Sequence, residues 1–271
     1  MNRKILIGIA GIAIVILVVL LSTFFGNHQL KNQIHDLPSI LKSGRLSVLT
    51  DSSSIGFSVK GDSVSGFQYE IVKAFADSLG LELVITERND MKDCLDGLSK
   101  GDYDIIAKFI PVTTEWKSNV LFTTPFFTSR EVLVQRISNT TSLTKVIKRQ
   151  DELANDTIYI PVNSPFKMRL NHLSNEIAEP IHIIEIKNKS SEQMVRMVAG
   201  GKIKLTICDE QFARKLKFKY PNIDVSLPIS FAQNQSWAVH TDSPELLESL
   251  NEFLDDFIGS SAYWNIYRKY Y

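Results

Sequence analysis

The sequence predicts an α/β fold of two similar lobes, joined by two chain crossings and preceded by one apolar N-terminal segment. Three observations point there. From residue 45 onward, short apolar runs of strand length alternate with segments of helical period. The alternation pauses at a polar stretch after Arg136 and restarts at Thr157. A late apolar run, Trp237–His240, sits where a chain returning to its first sheet would place a strand.

The elements follow in order. Leu46–Thr50 reads as a strand, and Gly66–Leu79 as a helix with Phe67, Ile71, Phe75 and Leu79 on one face, closed by Gly80. Leu81–Thr86 is strand-like, Met91–Lys100 is a helix closed by Gly101, and Asp104–Ala107 is a buried strand. That βαβαβ rhythm implies a parallel sheet covered on both faces. After the strand Glu131–Arg136 the second unit begins. It consists of strand Thr157–Ile160, helix Pro165–Leu173, strand Ile181–Ile186, helix Ser191–Ala199, strand Leu205–Cys208 and helix Glu210–Phe218. A short strand is expected near Val225, and two amphipathic helices, Pro244–Phe257 and Ser261–Tyr270, finish the chain.

The N-terminus differs from the rest. Arg3 and Lys4 precede Ile5–Phe25, 21 residues without a charge. A helix of that length spans roughly 30 Å, one hydrocarbon core, with the basic flank kept inside. Residues 1–26 are therefore expected to be a transmembrane signal anchor. The rival reading is a cleaved signal peptide, but the run is long and no small-residue cleavage pattern closes it. In either case the remainder lies outside the cytoplasm, at the inner membrane if the anchor is kept. Residues 27–44 read as a stalk with a small amphipathic segment (Ile34, Leu37, Ile40, Leu41). Residues 45–271 form the folded body, with lobe one over about 45–132 and 237–271 and lobe two over about 133–236.

Charge and cysteine usage exclude several functions. The 30 basic and 30 acidic residues leave no formal net charge and form no basic block, so a nucleic-acid groove is not expected. Cys94 and Cys208 fall in apolar patterns and read as buried small hydrophobes rather than a disulfide. The five histidines show no ligand spacing, and no metal or other cofactor is expected. No Ser/His/Asp or Cys/His set is legible, so the chain is not expected to be an enzyme.

Several runs carry a resemblance. They are Gly66-Phe67-Gln68-Tyr69-Glu70-Ile71 with Phe75–Gly80, Leu98–Gly101 with Asp104-Ile105-Ile106, and Thr113-Thr114-Glu115 with Phe122–Phe126. A last run is Gly201-Lys202-Ile203 with Asp209. Together, in order over residues 45–271, they resemble the bacterial extracellular solute-binding proteins of family 3. The resemblance implies the type II periplasmic-binding fold, a clamp that closes on a small ligand. Gln193–Pro221 and Ala262–Tyr271 are also similar to the non-catalytic solute-binding-like module of membrane-bound lytic transglycosylase F enzymes. In those enzymes a lysozyme-like domain follows; this sequence ends at Tyr271, so lytic activity is not carried over.

The same resemblance names candidate ligand contacts. Amino-acid binders of the family hold a ligand carboxylate with an Arg three residues after a Thr, because a guanidinium forks two charge-assisted hydrogen bonds to it. Here the Thr is Thr113, but Trp116 stands at the Arg position and has one donor and no charge. Asp209 keeps the family's acidic position for a ligand ammonium, and also fits a helix N-cap. Trp116 is expected either to stack on a ligand face or to pack as an ordinary aromatic. Lys108, after the buried strand, is a candidate replacement cation or a surface lysine, with Phe109 beside it. Ser53, within the Ser52–Ser54 cluster, and Phe57 follow the first strand, where ligands meet strand ends. Ser164 opens a lobe-two helix as an N-cap whose neighbouring amides suit an anion. The function expected is a binding component for transport or sensing, partnered by a permease or an envelope enzyme. Two alternatives are a regulator of peptidoglycan metabolism without its own lytic domain, and a dehydratase-like enzyme on the same fold.

Overall fold

The computed structural model of the chain describes residues 34–112, 114–137 and 146–271. The apolar segment Ile5–Phe25 and Thr113 lie outside the described residues. Among the described residues no helix is long and apolar enough to cross a membrane.

In chain order the first unit runs α1 (Leu37–Ser43), β1 (Arg45–Thr50), β2 (Ser58–Lys60), β3 (Ser63–Ser65), α2 (Phe67–Ser78) and β4 (Glu82–Glu87). It continues with α3 (Met91–Lys100), β5 (Ile105–Pro111), α4 (Thr114–Lys117), β6 (Leu121–Phe122) and β7 (Phe127–Ser129). The second unit has β8 (Glu131–Arg136), β9 (Thr157–Pro161), α5 (Phe166–Ile177), β10 (His182–Ile186), α6 (Ser191–Ala199), β11 (Leu205–Asp209), α7 (Glu210–Lys219) and β12 (Ile223–Asp224). The chain then returns through β13 (Gln233–Val239) and ends with α8 (Pro244–Phe257) and α9 (Ser261–Tyr270).

Each sheet is parallel at its centre and closed by a strand of opposite sense. The first has the order β4-β1-β5-β13-β6, with β7 also on β13. Strands β4, β1 and β5 run parallel and β13 runs antiparallel to β5. The second has the order β10-β9-β11-β8-β12, with β8 antiparallel to β11. Strand period 2 sorts the side chains of β5: Ile105 and Ala107 face one apolar cluster, Ile106 and Ile110 the other. The former cluster continues under the second sheet through Val132, Val134 and Cys208, so one core runs beneath both units. Cys94 and Cys208 are buried free thiols in separate clusters, as expected.

The two crossings lie side by side. Strand β7 pairs antiparallel with the start of β13, Ser129 opposite Gln233 and Phe127 opposite Gln235. Beyond Arg130 the outgoing chain becomes β8, and the incoming chain is tied to it where Ile229 N donates to Glu131 O at 2.8 Å. This pairing explains why β13 begins at Gln233 rather than at Trp237. Gln233, Asn234 and Gln235 are polar and carry no apolar signal, but their backbone belongs to a ladder. Strand β5 likewise extends past Ala107 to Pro111. Helix α5 runs on from Leu173 to Ile177, where Ala178 turns left-handed at φ 55°. The hairpin β2–β3 is polar and exposed and had no apolar alternation to announce it.

Residues 34–44, expected as part of a stalk, are folded into the body. Ile40 is buried in the main core. Asp36 caps α1 through Leu37 N at 2.8 Å and also accepts from Leu246 N at 2.8 Å and Glu245 N at 3.2 Å, in the first turn of α8. One carboxylate thus satisfies amides at two helix starts. The far end of the chain is also tied down. Tyr270 Oη accepts from Gly66 N at 2.7 Å, while Lys269 and Tyr270 both reach Glu70. Gly66 has φ 151°, and a Cβ there would strike the Gly56 carbonyl, so only glycine fits.

Asp36→Ala should lower stability by about 1–2 kcal/mol, since it removes caps from two helices. Urea unfolding of the full chain in detergent, followed by circular dichroism, measures this; a loss near zero would mean that residues 34–44 do not hold to the body in solution.

Candidate functional site

The C-terminal ends of the parallel strands in both sheets face one another across the crossings, where ligands of open α/β sheets are expected. Between them lies a cavity of about 170 Å³. The first sheet and its loops line it with Asp51, Ser53, Gln68 and Lys108, the second with Glu131, Ser164 and Asp209. Its apolar wall includes Ile55, Met91, Phe109, Phe166 and Phe212. The volume is well below the roughly 300 Å³ at which drug-sized pockets begin, so it suits a solute of amino-acid size.

The polar atoms decide what such a solute meets. Trp237 Nε1, which can only donate, takes Gln68 Oε1 at 2.6 Å. That fixes the amide's orientation, and Gln68 Nε2 is buried with no protein partner among the described residues. Glu131 Oε2 and Tyr271 Oη are in the same position. All three residues line the cavity. Buried polar groups left unsatisfied cost about 1–3 kcal/mol each, so the packing around this cavity carries an energetic cost.

Glu131 and Asp209 are direct cross-strand neighbours on β8 and β11. Residues so opposed point to the same face, with Cβ atoms about 5 Å apart. Burial pushes the Glu131 carboxyl up to about 7; the Asp209 charge adds to the rise and Arg169 opposes it. Burial also raises Asp209, against the amides of Phe212 and Gln211 that hold its charged form. Tyr271 is likewise raised, by burial and then by the field of Asp209.

The lining cations are largely engaged. Lys108 Nζ donates to the carbonyls of Arg88 at 3.2 Å and Asn89 at 3.3 Å. Arg130, in the outgoing crossing, forks onto both Glu210 oxygens at 2.9 Å. At the mouth the two units touch. Asn163 Nδ2 donates to both Asp90 oxygens at 3.0 Å, and Ser54 N donates to Glu192 Oε2 at 3.3 Å. Asp90 at the same time caps α3 through Lys92 N at 2.9 Å. These contacts make the conformation a closed one.

The structure gathers Ser53, Lys108, Phe109, Ser164 and Asp209 around this cavity. Asp209 also caps α7 through Phe212 N at 3.0 Å, the N-cap expected of it. Ser53 Oγ accepts from Gly56 N at 2.9 Å and shapes the loop that closes one wall. Ser164 Oγ takes Phe166 N at 3.3 Å, although the helix begins one residue beyond Pro165. Phe109 stacks on Phe127 at 4.2 Å.

Two residues are placed elsewhere. Phe57 turns from the cavity and meets Tyr69 edge-on at 5.4 Å, because the Ser52–Phe57 bridge folds its loop back and presents Ile55 instead. Trp116 packs against the cluster on the outer face of the first sheet and lines a neighbouring groove of about 850 Å³. That groove shares Met91, Ser164 and Pro165 with the cavity. Gln68, Glu131 and Tyr271 were missed as site residues. The available signal was polarity out of pattern: Gln68 lies on the buried face of α2 beside Phe67 and Ile71, and Glu131 opens a strand otherwise apolar through Val134.

Two parallel sheets closed by antiparallel return strands, joined by paired crossings around a small cavity, define a periplasmic-binding type of clamp. Residues 46–271 match the bacterial extracellular solute-binding proteins, family 3, and the chain belongs to that family. Among curated proteins it is 25% identical over 245 residues to a membrane-bound lytic murein transglycosylase F of Desulfosudis oleivorans, covering 90% of this chain and 52% of that one. A protein of the same name from Pseudomonas fluorescens is 26% identical over 239 residues, covering 87% and 48%. The chain therefore spans about half the length of these relatives. Among solved structures, the solute receptor for L-cysteine of Neisseria gonorrhoeae superposes with a TM-score of 0.75 at 16% identity, over 87% of this chain and 93% of that one. An ancestral arginine-binding protein bound to arginine gives 0.71 at 21% identity, over 84% and 98%.

Two outcomes follow from this geometry. The raised Glu131 group costs stability as pH rises from about 4.5, where the unfolded carboxyl ionises, to about 7, where the folded one does. Glu131→Gln should leave stability unchanged at pH 4 and raise it at pH 8 by up to about 3 kcal/mol, at 1.36 kcal/mol per pH unit; chemical denaturation at both pH values checks this. Asn163→Ala should move the clamp toward an open form by about 1 kcal/mol, roughly a fivefold change in population. Single-molecule energy transfer between labels at Lys100→Cys and Lys187→Cys, both exposed positions, reads it as a longer mean distance.

Proposed function

We propose that the chain is an extracytoplasmic binding protein that closes on a small polar solute of amino-acid size. The observation that carries this reading is the cavity between the two sheets, lined from both by Ser53, Gln68, Lys108, Glu131, Ser164 and Asp209. A ligand contacting both sheets would favour the closed form by its differential affinity for it, which is how such clamps report occupancy. The uncharged run Ile5–Phe25 supports a membrane anchor, and the relatives named as membrane-bound agree with that location. A permease or an envelope enzyme would then be the partner. The reading is of binding without turnover. One structural neighbour is an ancestral precursor of cyclohexadienyl dehydratase, so a turnover assay on prephenate-type substrates belongs beside the binding screen.

A second reading, a regulator of peptidoglycan metabolism that binds a cell-wall fragment, draws on two observations. The murein transglycosylase relatives align over nine-tenths of the chain. The cavity also shares Met91, Ser164 and Pro165 with the adjacent groove lined by Trp116, whose volume would suit the remainder of a larger fragment.

A thermal-shift screen of the full chain in detergent, against amino acids, short peptides, sugars and muropeptides, tests both readings. A ligand at about 100 times its Kd should stabilise the protein by roughly 2.7 kcal/mol. Binding of an amino acid that is lost in Asp209→Ala supports the first reading. Binding of muropeptides only, weakened in Trp116→Ala, supports the second, and silence across the panel counts against both.

A further inference from the structure

The chain as a whole carries no formal net charge, but two neighbouring helices depart from that balance. Helices α7 and α9 hold six basic side chains, Arg214, Lys215, Lys217, Lys219, Arg268 and Lys269, against one acid, Glu210. The helices meet where Lys215 Nζ donates to the Lys269 carbonyl at 3.2 Å. Carboxylates offset only part of the excess. Arg214 shares Glu210 with Arg130, Lys219 pairs with Glu192 at 2.9 Å, and Lys269 pairs with Glu70 at 2.7 Å. Lys215 has only a neutral carbonyl, and Arg268 the amide oxygen of Asn265 at 2.6 Å. Neither these two nor the exposed Lys217 is met by a carboxylate among the described residues.

Apolar surface sits among these charges. Phe218, one turn beyond Arg214 on α7, is 86% exposed, and Trp264 on α9 is 45% exposed. Beside them runs a groove of about 690 Å³ whose lining includes Arg214, Lys215, Lys217 and Phe218 together with Tyr267 and Tyr271, and no acidic side chain among the described residues. A lone exposed aromatic is ordinary on a protein surface. An aromatic set among lysines of unpaired charge suits a lipid headgroup layer, where the ring rests at the acyl boundary and the flexible lysine stems reach outward to phosphates.

The chain that precedes the body points to the same occupant. Eight residues, 26–33, separate the uncharged run Ile5–Phe25 from Ile34. Fully extended, they span at most about 28 Å. A body so tethered meets a lipid surface in an intramolecular step, which makes weak contacts effective. Each basic residue brought to an anionic surface strengthens association by about fivefold, so three such charges supply about a hundredfold.

Resting on the anchor reading above, we propose that the face formed by α7 and α9 docks on an anionic phospholipid bilayer, with Phe218 entering the headgroup layer and Lys215, Lys217 and Arg268 meeting lipid phosphates. The α7 contribution comes from the second unit and the α9 contribution from the first, so docking holds both lobes against the membrane at once.

The test places the full chain, one copy per disc, in bilayer discs of phosphatidylcholine alone or mixed with phosphatidylglycerol. An environment-sensitive nitrobenzoxadiazole label is attached at Asn265→Cys, beside Arg268, with Lys100→Cys as the remote control; both positions are exposed and the native thiols are buried. The label at 265 should shift to the blue in phosphatidylglycerol discs only, and the control label in neither. Lys217→Gln should lower the ratio of docked to undocked protein by about fivefold, and Phe218→Ser with Lys215→Glu and Lys217→Glu should abolish the shift. The melting of each variant in detergent shows that it is folded. No shift at 265, or an equal shift in phosphatidylcholine, would overturn the proposal. The same shift produced in neutral discs by added poly-L-glutamate would give the face to an acidic polypeptide, and a shift that needs two chains per disc would give it to a second copy. Entry of the chain into phosphatidylcholine discs checks the anchor by itself; should that fail, sedimentation of the chain with preformed phosphatidylglycerol vesicles, and its loss in the triple variant, decides the docking face alone.

Discussion

The antiparallel pairing of Phe127–Ser129 with Gln233–Gln235 is the constraint on which the rest of the structure depends. It binds the outgoing and returning crossings into one ribbon, so the two sheets meet at a fixed edge and their strand ends face a common space. Trp237 sits at the base of that ribbon, fully buried, where β13 shifts register between Ser236 and Ala238. Its backbone is held by Thr123 and its indole by Gln68. Gln68 is thereby oriented by the same residue that seats the returning strand, and its free amide end follows from that packing.

The cleft of this clamp sets a few polar groups into a largely apolar wall, while the core beneath stays dry. The apolar cluster beneath both sheets supplies most of the burial. The cavity instead concentrates groups that the protein leaves incomplete. Burial keeps Glu131 and Asp209 reluctant to ionise, and the second carboxyl makes ionisation of the first harder. Such a pair destabilises the empty protein once both groups ionise.

The contacts across the mouth are few and polar, Asn163 with Asp90 and Ser54 with Glu192. Each is exposed, and exposed contacts contribute modestly. A mouth held by such contacts can open without breaking the core. Both Asp90 and Glu192 keep other partners, the first turn of α3 and Lys219, so neither is stranded when the mouth opens.

What was legible in the sequence follows from local physics. The period-2 and period-3.6 patterns located the central strands and the principal helices, since burial on one face of an element is written in its own residues. The cap of α7 at Asp209 and the buried thiols of Cys94 and Cys208 were readable for the same reason. The hairpin β2–β3 and the polar start of β13 were not, because they are held by backbone pairing between residues of little hydrophobicity. The site was half legible. Ser53, Lys108, Phe109, Ser164 and Asp209 lie at strand or helix ends, where a resemblance carries over by position. That Phe57 turns away, that Trp116 faces the outer groove, and that Glu131 meets Asp209 depended on pairings between segments remote in the chain. The sequence by itself determined the alternation of elements, the family and the polarity of each position. Only the tertiary structure decided which polar groups meet, because a side chain's neighbours across a sheet are set by register between distant strands and leave no mark in its local pattern.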